Sequence, residues 1–118
     1  MINSLFFACL GYAAAIAPMG EKILYGHWKL EFENNVEEIE FRADHTFESD
    51  ILDQGIVAWK FAGTWNFAGD HLSYIYTKSS FAKVPPGTAD ADTIVELNTD
   101  DFLLRNAGQQ YHRFRRVK

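Results

Sequence analysis

One cysteine in 118 residues, Cys9, leaves this chain without an internal disulfide and without a thiolate metal site. Positive charge is also scarce. Eleven Lys and Arg stand against sixteen Asp and Glu, and the net charge of −5 argues against a nucleic-acid partner. The basic tail Arg113, Arg115, Arg116 and Lys118 is short and reads as a solvated strand end rather than a phosphate patch. There is no G-x-S-x-G, no Gly-rich phosphate loop and no H-E-x-x-H. No nucleophile–base pair is spaced for catalysis, so no catalytic residue, metal ligand or cofactor is assigned, and the protein is not read as an enzyme.

Charge is missing altogether from residues 2 to 19, INSLFFACLGYAAAIAPM, whereas every charged side chain lies from Glu21 onward. An apolar middle followed by the small residues Ala13-Ala14-Ala15-Ile16-Ala17 is the pattern of an export signal. Residues 1–20 are therefore read as a signal peptide, with the mature chain starting between Ala14 and Glu21 and the product secreted or periplasmic. The block has no basic n-region, and Pro18 is a poor first residue after cleavage, so the cut site stays open. A helix packed on the domain and a membrane anchor are the other readings. A span needs ~20 apolar residues, so this block is at the short limit, and a membrane partner follows only if the block is retained. Phe6-Phe7-Ala8-Cys9 hints at lipoprotein processing, but too little apolar sequence precedes Cys9.

What the chain has in quantity is aromatic alternation. From Ile56 to Tyr76, Val57, Trp59, Phe61, Gly63, Trp65 and Phe67 fall on one face by twos, the period of a half-buried strand. After a turn at Ala68-Gly69-Asp70-His71, Leu72, Tyr74 and Tyr76 resume the pattern. Pairing Phe67 with Leu72 then sets Trp65 against Tyr74 and Gly63 against Tyr76.

Upstream, Leu24 to Glu33 reads as a strand with Trp28, Leu30 and Phe32 inward. A turn at Asn34-Asn35 pairs Glu33 with Val36, placing Leu30 opposite Ile39, Trp28 opposite Phe41 and Lys29 beside Glu40. Ala43-Asp44-His45 closes the next hairpin, with Arg42 paired to Thr46 and Phe41 meeting Phe47. His45 there takes a position that favours a left-handed backbone. Phe47, Ser49 and Ile51 face inward, and a three-residue loop Asp53-Gln54-Gly55 pairs Ile51 with Val57 and Ser49 with Trp59.

Downstream, Thr77 to Ala91, with Val84-Pro85-Pro86-Gly87, has no periodicity and reads as a long loop of the kind that gates or moves. Asp92 to Leu97 is a short strand with Val95 and Leu97 inward, and Phe102 and Leu104 continue the face after a turn at Asn98 to Asp101. The last strand, Gln109 to Val117, has two registers. A shorter turn at Asn106-Ala107-Gly108 points Tyr111 and Arg113 inward and is preferred; one residue more points His112 and Phe114 inward. Eight strands in a meander, with an inner face too aromatic for water, close into an all-β, up-and-down antiparallel barrel over residues 21–118.

With the strands placed, four short motifs stand out: Gly26-His27-Trp28, Ala43-Asp44-His45-Thr46-Phe47, Gly63-Thr64-Trp65 and Gly69-Asp70-His71-Leu72. Their order resembles the lipocalin superfamily, and more nearly the small bacterial lipocalin-like domains of calycin type. The resemblance covers Leu24 to Arg115. It implies that Gly26 and Trp28 are structural, that Trp28 plugs a closed barrel end, and that a last-strand arginine packs across it. Arg113 is the best match and Arg115 the second. It also implies binding of a small apolar or amphipathic molecule. Typical lipocalins are longer and often disulfide-bonded. Fatty-acid-binding proteins share G-x-W but insert a helical lid where this chain has only Asn34-Asn35, so their carboxylate-binding role is not carried over.

Trp59, Trp65, Tyr74, Tyr76, Tyr111 and Arg113 are the candidate ligand-binding residues. A filled core competes with a pocket, because an eight-stranded barrel is only just wide enough for its own side chains. A second function class, a protein-interaction or inhibitor module working through the 77–91 loop, goes with the filled core. His27, His45, His71 and His112 lack metal spacing. Glu31, Glu33, Glu37 and Glu38 read as a solvated acidic hairpin tip rather than a calcium loop.

Overall fold

The alternation closes on itself. A computed structural model describes residues 19–118, excluding the side chain of Met19, and contains one short helix and eight strands. These are α1 (Met19–Leu24), β1 (Gly26–Phe32), β2 (Asn35–Phe41), β3 (Thr46–Asp53), β4 (Ile56–Ala68), β5 (His71–Ser79), β6 (Ala89–Leu97), β7 (Asp101–Arg105) and β8 (Tyr111–Arg116). The strands are antiparallel in sequence order, and β8 returns to β1 to complete a barrel. Closure removes both sheet edges, as the aromatic inner face demands. The signal-peptide reading lies outside the described residues except for Met19 and Gly20.

The central hairpin has the expected register: Phe67 faces Leu72, Trp65 faces Tyr74 and Gly63 faces Tyr76. Its turn is tighter than read, since Ala68 and His71 pair and only Gly69-Asp70 connect them. At Gly63 the ladder bulges, and an added Cβ would stand 2.0 Å from the Ile75 carbonyl oxygen, so no side chain fits there. The β2–β3 hairpin also matches, with Phe41 against Phe47 and His45 at φ 68°.

Two other hairpins slip from the expected register. The first turn uses Glu33, at φ 54°, and Asn34, so Phe32 pairs with Asn35, Trp28 faces Ile39 and Leu30 faces Glu37. Slippage by two leaves every side chain on its face, so hydrophobic patterning does not choose between the registers. Gln54 and Gly55 both have positive φ, the form a two-residue hairpin needs to match strand twist. Asp53 therefore pairs with Ile56, and a bulge next to Leu52 sets Ile51 against Trp59 and Ser49 against Phe61.

The other corrections lie at the ends of the chain. Leu24 ends a helix instead of starting a strand. The long loop shrinks to residues 80–88, because β5 runs on to Ser79 and β6 starts at Ala89. Val95 is exposed and Ile94 is buried; a bulge between Ile94 and Glu96 then brings Leu97 back against the core. In β8 the longer turn wins. Asn106 accepts from the Gln109 amide and donates to the Gln110 carbonyl, with Gln109 at φ 64°. Phe114 is buried and stacks on Phe102 at 4.8 Å, while Tyr111 and Arg113 point outward. Burying an unpaired guanidinium is far costlier than burying Phe114, which decides the register.

The closed end carries α1 and the β2–β3, β4–β5 and β6–β7 turns. Trp28 is fully buried there, edge-on to Phe102 at 4.8 Å, and its Nε1 donates to the Leu24 carbonyl at 2.9 Å. The arginine across it is Arg116, not Arg113 or Arg115. Its guanidinium lies 4.1 Å from the indole centroid and donates to the carbonyls of Tyr25, Thr99 and Ile23. Gly26, at φ 119°, leaves the room Arg116 needs, since a Cβ there would meet Nη1 at 2.8 Å. Glu21 ties the helix down, accepting from Tyr25 Oη at 2.8 Å and contacting His45 Nε2 at 2.9 Å. Burial alone would raise the Glu21 carboxyl, but these two bonds outweigh it and hold the group below its ordinary value.

Candidate functional site

Above the packed end the barrel is hollow. A cavity of about 690 Å³ is floored by buried Phe41, Phe47, Phe102 and Phe114. Trp59, Phe61, Tyr74 and Tyr76 form its aromatic wall, and Phe32, Phe81 and Val84 reach it from the rim. Pocket and filled core therefore divide the barrel between them, one at each end. Phe81 and Val84 come from the 80–88 loop, and Phe81 lies against Trp59 with ring centroids 4.5 Å apart. The loop closes back on the sheet through the Gly87 amide, which donates to the Tyr76 carbonyl at 2.7 Å, and the Tyr76 amide, which donates to Thr88 at 2.9 Å.

Polar groups share this chamber with the aromatic rings. Glu37 on β2 accepts from Ser49 Oγ at 3.2 Å. Asp92 on β6 accepts from Tyr74 Oη at 2.9 Å. Asp90 also lines the cavity, as does His112, whose Nε2 is 3.4 Å from Asn106 Nδ2. Burial pushes the Glu37 carboxyl up to about 7, with the Asp92 charge adding to the effect and the Ser49 bond opposing it. Glu37 faces internal space rather than bulk water, so it is desolvated even though cavity surface touches it. Asp92 is raised too, chiefly by burial. Tyr74 lies well above its usual range, by burial and then by the Asp92 charge, and Tyr76 is pushed up to about 12 by burial and the nearby carboxylates.

Of the residues read from sequence, Trp59, Tyr74 and Tyr76 line the cavity. Trp65 sits deeper, packed edge-on to Phe41 at 5.1 Å with its Nε1 donating to the Arg42 carbonyl at 3.1 Å, and belongs to the core. Tyr111 is 56% exposed on the outer surface. Arg113 is also outside, bridging Glu96 and Asp101 at 3.1 Å each. The four histidines are dispersed: His27 is near Glu40, His45 near Glu21, His71 near Asp70 and His112 in the cavity. Glu37 leaves the acidic hairpin tip and faces inward, as its spacing of two from Ile39 and four from Phe41 signals. Asp90 and Asp92 share that parity with buried Ile94; Asp90 was hidden in the expected loop, and Asp92 was put on the outer face by taking Val95 rather than Ile94 as inward.

No protein-family model matches the chain, and no curated protein matches it in sequence. In structure it is similar to a lipocalin-like protein from Bacteroides uniformis, with a TM-score of 0.62 and 16% identity, covering 80% of this chain and 99% of that one. Identity so low speaks for the fold alone. With its closed eight-strand meander, its Trp28–Arg116 plug and that likeness, the chain has a lipocalin-like fold.

Proposed function

We propose that this barrel is a binding protein for a small apolar or amphipathic molecule, held in the cavity, and that it does no chemistry on it. The observation that carries the reading is the aromatic-walled cavity of about 690 Å³, within the ~300–1,000 Å³ of small-molecule sites. An apolar body lying on the aromatic wall would release the water held against it. The loop supports this reading over a protein-interaction module, because Phe81 and Val84 are turned toward the cavity rather than displayed outward. Export belongs to the same proposal: a carrier with a charge-free leader acts outside the cytoplasm, where scarce apolar molecules must be captured.

A neutral naphthalene-based fluorophore titrated into the purified protein tests it. We expect saturable binding at about one per chain, with quenching of tryptophan emission. Trp59→Ala or Tyr76→Ala should weaken it roughly tenfold, about 1.4 kcal/mol. Deletions within residues 82–89 should change mainly the association and dissociation rates, since the loop can only gate a wall built from strands. Weak, non-saturable binding would remove the proposal, and saturable binding that survives both wall substitutions would move the site elsewhere.

A further inference from the structure

We infer that the cavity selects a cationic guest: a protonated amine on an aromatic or aliphatic body, its head seated between Glu37 and Asp92. This rests on the pocket reading and goes beyond it by fixing the charge of the ligand.

The charge asymmetry of the chamber is complete on one side. Glu33, Glu37, Asp90 and Asp92 line it, and among the described residues no lysine or arginine does. Basic side chains are instead engaged on the outside, Arg42 with Glu40 and Glu48, Lys60 with Asp50, Arg113 with Glu96 and Asp101. Glu37 stands on β2 and Asp92 on β6, four strands apart in an eight-strand ring, and both line the same cavity, close enough for the Asp92 charge to act on Glu37. Neither makes an ion pair among the described residues. Ser49 engages only Oε2 of Glu37 and Tyr74 only Oδ2 of Asp92, which leaves an oxygen of each without a partner.

Acidic residues alone would not make a site; here they line a cavity with aromatic walls, closed at one end and open at the other. Two carboxyls in a desolvated chamber are costly unless a cation joins them. An ammonium head relieves that cost, donates to the free carboxylate oxygens and meets the faces of Tyr76 and Trp59, the rings best suited to hold it. The tail then lies against Phe61, Phe81 and the rim. A carboxylate-bearing lipid would bring a third negative charge to the same place, so the chamber rejects it as firmly as it accepts the amine. His112 is the single titratable base on the wall and does not reverse the balance.

Burial and the Asp92 charge together hold Glu37 partly protonated near neutrality, as expected of a carboxyl waiting for a counter-charge. The groups that face it are Ser49 from β3, Tyr74 and Tyr76 from β5, Asp90 and Asp92 from β6, and His112 from β8; β4 and β7 contribute only apolar or indole side chains.

A matched series on one body decides the charge: 2-naphthylmethylamine, 2-naphthylmethanol and 2-naphthoate, each titrated calorimetrically into the full chain at pH 7.5. We expect the amine to bind at least roughly tenfold tighter than the alcohol, and the acid not to bind. Glu37→Gln and Asp92→Asn should each erase most of that preference, with far-UV circular dichroism and a cooperative thermal transition showing that the variants fold. Equal affinity for amine and alcohol, or tightest binding of naphthoate, would overturn the cation inference and leave the pocket standing. Saturable binding by none of the three would overturn both.

Discussion

Glu37 shows how one inward carboxyl couples the site to stability. Its folded value, about 7, is raised above the ordinary 4.5, so folding favours the protonated form. The stabilising share is fully present below the unfolded value and is lost as pH rises toward and through 7. A shift of that size corresponds to roughly 3 kcal/mol, drained between about pH 4.5 and 7. Asp92, raised in the same direction, adds to the trend. Glu37→Gln should flatten it: we expect urea midpoints of the wild type to fall from pH 5 to pH 7.5, and those of the variant to fall much less. Equal slopes would show that Glu37 is solvated. The inward placement was legible, because Glu37 shares the parity of Ile39 and Phe41. Its partners were not, since Ser49 and Asp92 lie on other strands.

Among the elements, the seam between β1 and β8 is the weak one. Cα partners run only from Trp28–Arg116 to Lys29–Arg115, whereas β1 and β2 pair from Gly26 to Phe32. Beyond Lys29 the strands diverge, and a second hollow opens between Leu30–Phe32 and Tyr111–Arg113 on the flank of the main cavity. Seam-facing amides there lack a ladder, so they should exchange with solvent through local opening at low cost. Hydrogen exchange read by NMR should find seam-facing amides of Leu30–Phe32 and Tyr111–Arg113 faster than those of Lys29, Arg115 and Val117, the last of which donates to the His27 carbonyl at 3.0 Å. Uniform protection along β1 and β8 would show that the seam is zipped. The hairpin turns explain why sequence reading placed some registers and missed others. Ala43-Asp44-His45 and the Gly69-Asp70 region set register through turn residues that favour one form. Glu33, by contrast, takes a positive φ no propensity assigns to it.

At the scale of the molecule, the barrel is plugged at one end and open at the other, and α1 is part of the plug. Leu24 is fully buried, Gly20 lies 3.2 Å (from an added Cβ) from Phe67, and the Ile23 and Leu24 carbonyls receive Arg116 and Trp28. Export processing anywhere before Met19 leaves these contacts intact. Removing Met19–Leu24 as well should strand the Trp28 Nε1 and the Arg116 contact to Ile23, costing about 1–3 kcal/mol for each buried donor left unpaired. Thermal unfolding of a chain starting at Tyr25 should show a clearly lower Tm than one starting at Met19. Matching curves would make α1 an ornament.

The sequence by itself determined the fold class, the strand order and which aromatic residues face inward on every strand but β8, where Tyr111 and Phe114 exchange faces, because period-two alternation depends only on neighbours along one strand. It also marked Gly26 and Trp28 at the plug. Tertiary structure alone decided the rest. Registers differing by two present the same faces, so only turn backbone and bulges chose between them. Arg116 rather than Arg113 covers Trp28 because the last turn is one residue longer than the shortest reading. Glu37 and Asp92 come to line one cavity only once eight strands close, since nothing along the chain brings β2 to β6. Whether that lumen is filled depends on how the side chains of all eight strands share a volume fixed by closure, a quantity no single segment contains.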